Sequence, residues 1–189
     1  GNVLSIDIGA STTDLAVAQG GRFLERTGLT LKIGGNVVRD LVRDKIQFEL
    51  GFVADVESLE QAVVTGRLRM GACYQDVGNL VEEAKKEFAD RIILDIQNYF
   101  GQINIPIQSF MAFVVSGGGS MQGEYCDENG EVQTTSDSMS YYITEKLKNV
   151  CSTVAVEHLD DSPRLANIKG MYNKAMAEKK KLEKQQSVA

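Results

Sequence analysis

Residues 3–18 read as two strands joined by a short polar turn, and this pairing governs how the rest of the chain can be laid down. Val3, Leu4, Ile6 and Ile8 form an apolar run, and Leu15-Ala16-Val17-Ala18 sends the chain back as a second strand. Between them, Gly9-Ala10-Ser11-Thr12-Thr13 is a tight polar turn. A tip built this way turns several backbone N–H groups and two or three hydroxyls toward one point, which suits phosphate oxygens. Asp7 and Asp14 flank it, and a carboxylate beside phosphates is tolerated mainly when a hydrated Mg²⁺ lies between them. An ordinary polar hairpin is the alternative reading of this segment.

A second buried-strand run, Phe110 to Val115, ends in Ser116-Gly117-Gly118-Gly119-Ser120-Met121. Successive glycines after a buried strand mean that something approaches the backbone more closely than a Cβ would allow. A flat nucleoside and a packed neighbouring strand are both candidates. The spacing misses the dinucleotide-binding fingerprint, because the glycine after Gly119 is Gly123, one residue late, and no G-x-x-x-x-G-K-[ST] string is present.

In this order and at this separation the two loops resemble the actin-like ATPase superfamily. Asp7-x-Gly9-x-x-Thr12-Thr13-Asp14 is similar to its second phosphate loop, and Gly34-Gly35-Asn36 to the Gly-Gly pair that follows before a helix. Ser116 to Met121 is similar to its adenosine loop. The closing Ala166-Asn167-Ile168-Lys169-Gly170-Met171-Tyr172 resembles the N-x-x-G ending of plasmid-segregation actins of the ParM and StbA kind.

The resemblance implies an α/β fold of ribonuclease H-like architecture: a mixed sheet with helices on both faces and a small inserted lobe. It implies ATP and Mg²⁺ as cofactors. Asp7 would hold the metal through water. Gly9, Ala10, Ser11, Thr12 and Thr13 would cradle phosphate, and Gly117, Gly118 and Gly119 would admit the ribose and base, with Met121 against adenine. Ala10 and Ser11 depart from the family's glycine-rich version, and a Cβ there narrows the allowed backbone angles. Asp14 closes the turn. Glu60, in the small lobe, is a candidate ribose or adenine contact or a surface charge.

The family folds as two halves around a nucleotide cleft, and this chain is expected to be the C-terminal half. The residues that position the hydrolytic water lie mostly in the other half, so no catalytic residue is expected here. The implied function is filament formation for plasmid or phage DNA segregation, with self-association along the filament and DNA contacted only through an adaptor. The alternative is a non-filament member: a cell-division or pilus-assembly adaptor, or a sugar-kinase-like phosphotransferase.

Composition agrees with a soluble domain. The 189 residues can bury a real core, and 43% hydrophobic with 24% charged is ordinary. A net charge of −6 argues against a general nucleic-acid surface. No apolar run is long enough for a membrane span and the start lacks a signal-peptide form, so a cytoplasmic protein without membrane contact is expected. Cys73, Cys126 and Cys151 have neither C-x-x-C spacing nor a histidine cluster, since His158 is the sole histidine, so free thiols are expected rather than a zinc site.

Along the chain, Gly20-Gly21 is a turn leading to strands at 23–27 and 29–31, which gives a three-stranded meander. Asn36 is a candidate cap for a helix in which Val37, Val38, Leu41, Val42, Ile46 and Leu50 recur at helical spacing. The region 52–76 is irregular, with a short helix at 56–64. Asn79 to Phe100 is the longest helix, with Leu80, Ala84, Phe88, Ile92 and Ile96 four apart. A surface excursion at 124–137, a helix at 138–150, a strand at 152–156 and a last helix opening at Ser162-Pro163 follow. The expected organisation is 1–49 with 77–175 as the sheet subdomain, 50–76 as the small lobe and 176–189 as a solvated tail.

Overall fold

The computed structural model describes residues 1–118, 124–126, 132–134, 139–151 and 155–158. Its centre is a six-stranded mixed sheet. β1 (Asn2–Ile8) lies between β2 (Thr13–Gln19), antiparallel, and β7 (Phe110–Ser116), parallel, and β10 (Ala155–His158) extends the parallel side. Alternation explains the central strand. Leu4, Ile6 and Ile8 are buried on one face, while Val3, Ser5 and Asp7 face the other way and are half-buried. β1 and β7 run side by side from Val3 beside Ala112 to Asp7 beside Ser116, with a register shift between Asn2 and Val3.

The expected meander is corrected. β3 (Arg22–Phe23) and β4 (Leu29–Leu31) both pair with β2, at opposite ends of it, as one interrupted edge rather than two successive strands. The break has a local cause. Arg26 has a φ of 73°, and the Thr27 hydroxyl donates to Leu24 O at 2.6 Å, which folds the backbone away from the ladder.

Three helices pack over the sheet. α1 (Asn36–Leu50) buries Val38, Val42 and Ile46, one stripe at four-residue spacing, and ends at Gly51, whose φ of 62° permits an N–H bond to Gln47 O. Its N-cap is Gly35 and not Asn36, so the expected cap is corrected: Asn36 is already helical, and its side chain is directed elsewhere. α3 (Gly78–Gln102) buries Leu80, Ala84, Phe88, Ile92, Ile96 and Phe100. Phe100 meets Phe110 edge-on at 5.1 Å, and Phe110 meets Phe113 at 5.8 Å, which pins the end of α3 to the start of β7. Each such aromatic pair adds roughly 0.5–1.5 kcal/mol beyond area burial. α4 (Met139–Val150) packs beside α3, with Ile143 and Leu147 in the same core.

Between α1 and α3 the chain forms α2 (Val56–Thr65) and a hairpin of β5 (Arg67–Met70) and β6 (Cys73–Asp76). The hairpin is an addition to the irregular reading of 52–76. Asp55 caps α2, accepting from Ser58 N at 2.8 Å, and that bond holds its carboxyl below the ordinary value. β8 (Glu124–Cys126) and β9 (Val132–Thr134) form a further hairpin within the expected excursion. The strand expected at 152–156 is found at Ala155–His158. The last helix and the 176–189 tail lie outside the described residues.

Candidate functional site

The carboxyl ends of β1 and β7 meet at one edge of the sheet, and the turn after β1 lies beside them. Asp7 stands between Asp14 on one side and Ser116 on the other. In open sheets ligands sit beyond such strand ends.

The turn itself is an opened hairpin. Gly9 N donates to Thr12 O at 2.8 Å, which closes one side of the Ala10-Ser11 tip. Gly9 O is not used by Thr12; it accepts from Gly35 N at 2.9 Å, and Ala10 O accepts from Asn36 N at 2.7 Å. The first amides of α1 are therefore spent on the tip, and the positive end of the helix points at it. Among the described residues the amides of Ala10, Ser11 and Thr12 have no hydrogen-bond acceptor. Three neighbouring N–H groups at an exposed tip, in front of a helix N-terminus, suit an anion.

Gly34 makes this contact possible. A Cβ there would meet Thr12 N at 2.6 Å and Ala10 O at 2.7 Å, which are backbone atoms that cannot swing aside. The hydroxyls of the turn divide. Thr13 is buried and donates inward to Ile33 O at 2.8 Å, so its side chain braces the turn. Ser11 is exposed, and its Oγ accepts from Asn36 Nδ2 at 3.3 Å.

The two carboxylates also differ. Asp14 is exposed and accepts from the Thr30 hydroxyl of β4. Asp7 is half-buried, with its Oδ1 against Gly117. Gly117 has a φ of 97°, and a Cβ on it would meet Ile8 N at 2.6 Å as well as Asp7 Oδ1 and Ile8 O. The packed-neighbour reading thus accounts for Gly117, whereas Gly118 is exposed beyond it. Gly119, Ser120 and Met121 lie outside the described residues. Glu60 is apart from the tip in sequence and pairs with Arg39 of α1 at 3.3 Å, with most of its side chain in solvent.

The structure therefore brings Asp7, Gly9 to Thr13, Ser116, Gly117 and Gly118 to one edge. Sequence reading missed the parts played by Gly34 and Asn36 in holding the tip. The Gly34-Gly35-Asn36 string was the available signal, since a glycine pair before a helix marks a close approach. His158 ends β10 opposite Val115. Among the described residues no three His, Cys, Asp or Glu side chains gather to hold a metal, and no helix is long and apolar enough to cross a membrane.

A mixed sheet with these loops at one edge is the actin-like fold. The family described as archaeal actin homologue MreB-like, C-terminal, matches residues 5–124, more than half of the sequence, and the chain belongs to that family. Among solved structures, the archaeal actin homologue Ta0583 superposes with a TM-score of 0.71 at 18% identity, covering 94% of this chain and 49% of that one. Its complex with ADP gives 0.70 at 18% identity, with 94% and 50% covered. A 15-stranded ParM filament from Clostridium botulinum gives 0.61 at 17% identity, with 87% and 42% covered. MamK bound to AMPPNP gives 0.57 at 21%, with 86% and 50% covered. At these identities the likeness is one of fold, and the chain spans about half the length of these proteins. No curated protein matches the sequence at a significant level.

Proposed function

We propose that this chain is the C-terminal half of an ATP-binding, filament-forming actin-like protein that works in the cytoplasm in plasmid or phage DNA segregation. The observation that carries the nucleotide part is the tip at residues 9–13. Its three unspent amides stand in front of the α1 N-terminus, and the strand that leads into the tip carries Asp7 near its end. Ala10, Ser11 and Thr12 would take phosphate oxygens, Gly9 and Thr13 would fix the turn, and Gly117 with Gly118 would border the nucleoside, with Gly119 and Met121 beyond them.

Mg²⁺ fits the residues present. A single carboxylate, completed by water and phosphate oxygens, is how this ion is usually held. Asp7 and Asp14 are cross-strand partners, and like charges directly opposite one another repel. A divalent cation near Asp7 relieves that repulsion. When bound, the ion would neutralise charge on the phosphates. Asp7 would orient its water shell, while Gly34 and Gly35 hold the tip at the right height.

The reading of self-association is supported by membership of an actin-homologue family and by the fold shared with a ParM filament. DNA would be reached through an adaptor, in keeping with the net charge of −6. The test pairs this chain with an N-terminal actin-like half and follows Mg²⁺-dependent ATP hydrolysis and sedimentation. Asp7→Ala is expected to abolish hydrolysis without unfolding the chain; hydrolysis at the wild-type rate would reduce Asp7 to a turn residue.

A further inference from the structure

Ser11 Oγ accepts a hydrogen bond from Asn36 Nδ2 at 3.3 Å. A serine hydroxyl has one proton and two lone pairs. With a lone pair committed to Asn36, the proton has to be given to something else. In the same turn the amides of Ala10, Ser11 and Thr12 are likewise donors without an acceptor among the described residues. The Ser11 hydroxyl thus joins those three amides as a donor with an acceptor still to find.

We propose that Asn36 is a positioning residue: it holds the Ser11 hydroxyl as a fourth donor toward a phosphoryl oxygen at the tip. This rests on the reading of residues 9–13 as the phosphate site and adds the element that sets its donor count. Asn36 is well placed for the task. It is the first residue of α1, and its own N–H already grips Ala10 O at 2.7 Å, so its side chain starts from a fixed backbone. Gly34 and Gly35 hold the same stretch against the tip, which leaves the Asn36 amide little freedom to seek another partner. Thr13 cannot substitute, because its hydroxyl is spent inward on Ile33 O. A side chain at position 11 is then an added donor rather than an obstacle.

The direction of the Asn36–Ser11 bond gives a discriminating test. Asn36→Asp keeps the shape but presents only acceptors, so the Ser11 proton turns back to the carboxylate and a negative charge joins the site. Binding of Mg·ATP and of inorganic pyrophosphate by the chain is measured from amide shifts, with melting temperatures recorded for every variant. Ser11→Ala is expected to weaken binding about tenfold, the low end for a hydrogen bond to a charged group. Ser11→Thr keeps the hydroxyl and should bind like wild type. Asn36→Asp should weaken binding more than Ser11→Ala. Asn36→Ala should weaken it in the wild-type background and have no further effect when Ser11 is already alanine, since the cycle isolates the coupling. Equal effects of Asn36→Ala in both backgrounds, or Asn36→Asp binding as tightly as wild type, would overturn the proposal while leaving the phosphate site standing. Wild-type chain that leaves the 9–13 amides unshifted would overturn both.

Discussion

Gly117 lies directly against the carboxylate of Asp7, so that a Cβ on Gly117 would overlap Asp7 Oδ1 and the Ile8 carbonyl. The end of β7 and the end of β1 are therefore fitted to one another at the position where both loops begin. Gly117→Ala would add overlap with backbone to a φ of 97° that L-residues rarely adopt. We expect a loss of roughly 2–4 kcal/mol in urea unfolding. A change below about 0.5 kcal/mol would mean that β7 can shift away from β1 freely.

Gly34→Ala should act on the tip more than on the core. The new methyl would press on Thr12 N and Ala10 O and part the tip from α1, breaking the bonds from Gly35 N and Asn36 N. The expected signature is a loss of hydrogen-exchange protection at Gly35 and Asn36, with a stability cost of about 1–3 kcal/mol. Gly51→Ala serves as the comparison. Nothing lies within 4 Å of its Cβ, so only the strain of a φ of 62° applies, about 1 kcal/mol.

Thr13→Val keeps the shape and removes one hydrogen bond. The Ile33 carbonyl loses its partner in a buried place, which should cost about 1–2 kcal/mol. Ligand-induced shifts at Ala10 and Ser11 should persist in this variant, because the Thr13 hydroxyl points away from the tip. Loss of those shifts with the fold intact would show that Thr13 contacts the ligand directly.

The described thiols should behave oppositely. Cys73 is exposed, whereas Cys151 is buried, its thiol donates to Ile107 O, and burial raises it above the ordinary thiol value. Alkylation mapped by peptide mass should therefore mark Cys73 in the native chain and Cys151 only after unfolding. Because folding favours the neutral thiol of Cys151, that stabilisation is complete below the ordinary thiol value and is lost as pH rises through the raised one. The advantage of wild type over Cys151→Ala in urea midpoint should accordingly shrink in alkali. An advantage that grows with pH would contradict the burial.

How much of this was legible in the sequence depended on whether the cause was local. Leu4, Ile6 and Ile8 alternate, and Leu80, Ala84, Phe88, Ile92 and Ile96 recur by fours, so β1 and α3 could be read directly. The β5–β6 hairpin has an alternating Arg67-Leu68-Arg69-Met70 strand, but only four residues of it, too short to stand out beside the glycines at 66 and 71. The break between β3 and β4 turns on a positive φ at Arg26, which no residue type announces. At the site, the clustering of residues 7–13 and 116–118 followed from two strands ending in polar turns. Which hydroxyl faces inward follows from alternation as well, since Thr13 shares a buried face of β2 with Leu15 and Val17; its bond to Ile33 O, twenty residues on, has no local signal.

The reading of residues 9–13 and 116–118 as one wall of a nucleotide cleft is tested most directly by titrating Mg·ATP into the chain while following amide shifts. The chain spans about half the length of its structural neighbours, so on this reading a nucleotide bound to it alone makes about half its contacts, and the affinity should be on the order of millimolar. Shifts should concentrate at Gly9 to Thr13, at Gly35 and Asn36, and at Ser116 to Gly118. Shifts spread away from these loops, or sub-micromolar binding by this chain, would contradict a half-built cleft and point to a self-contained site.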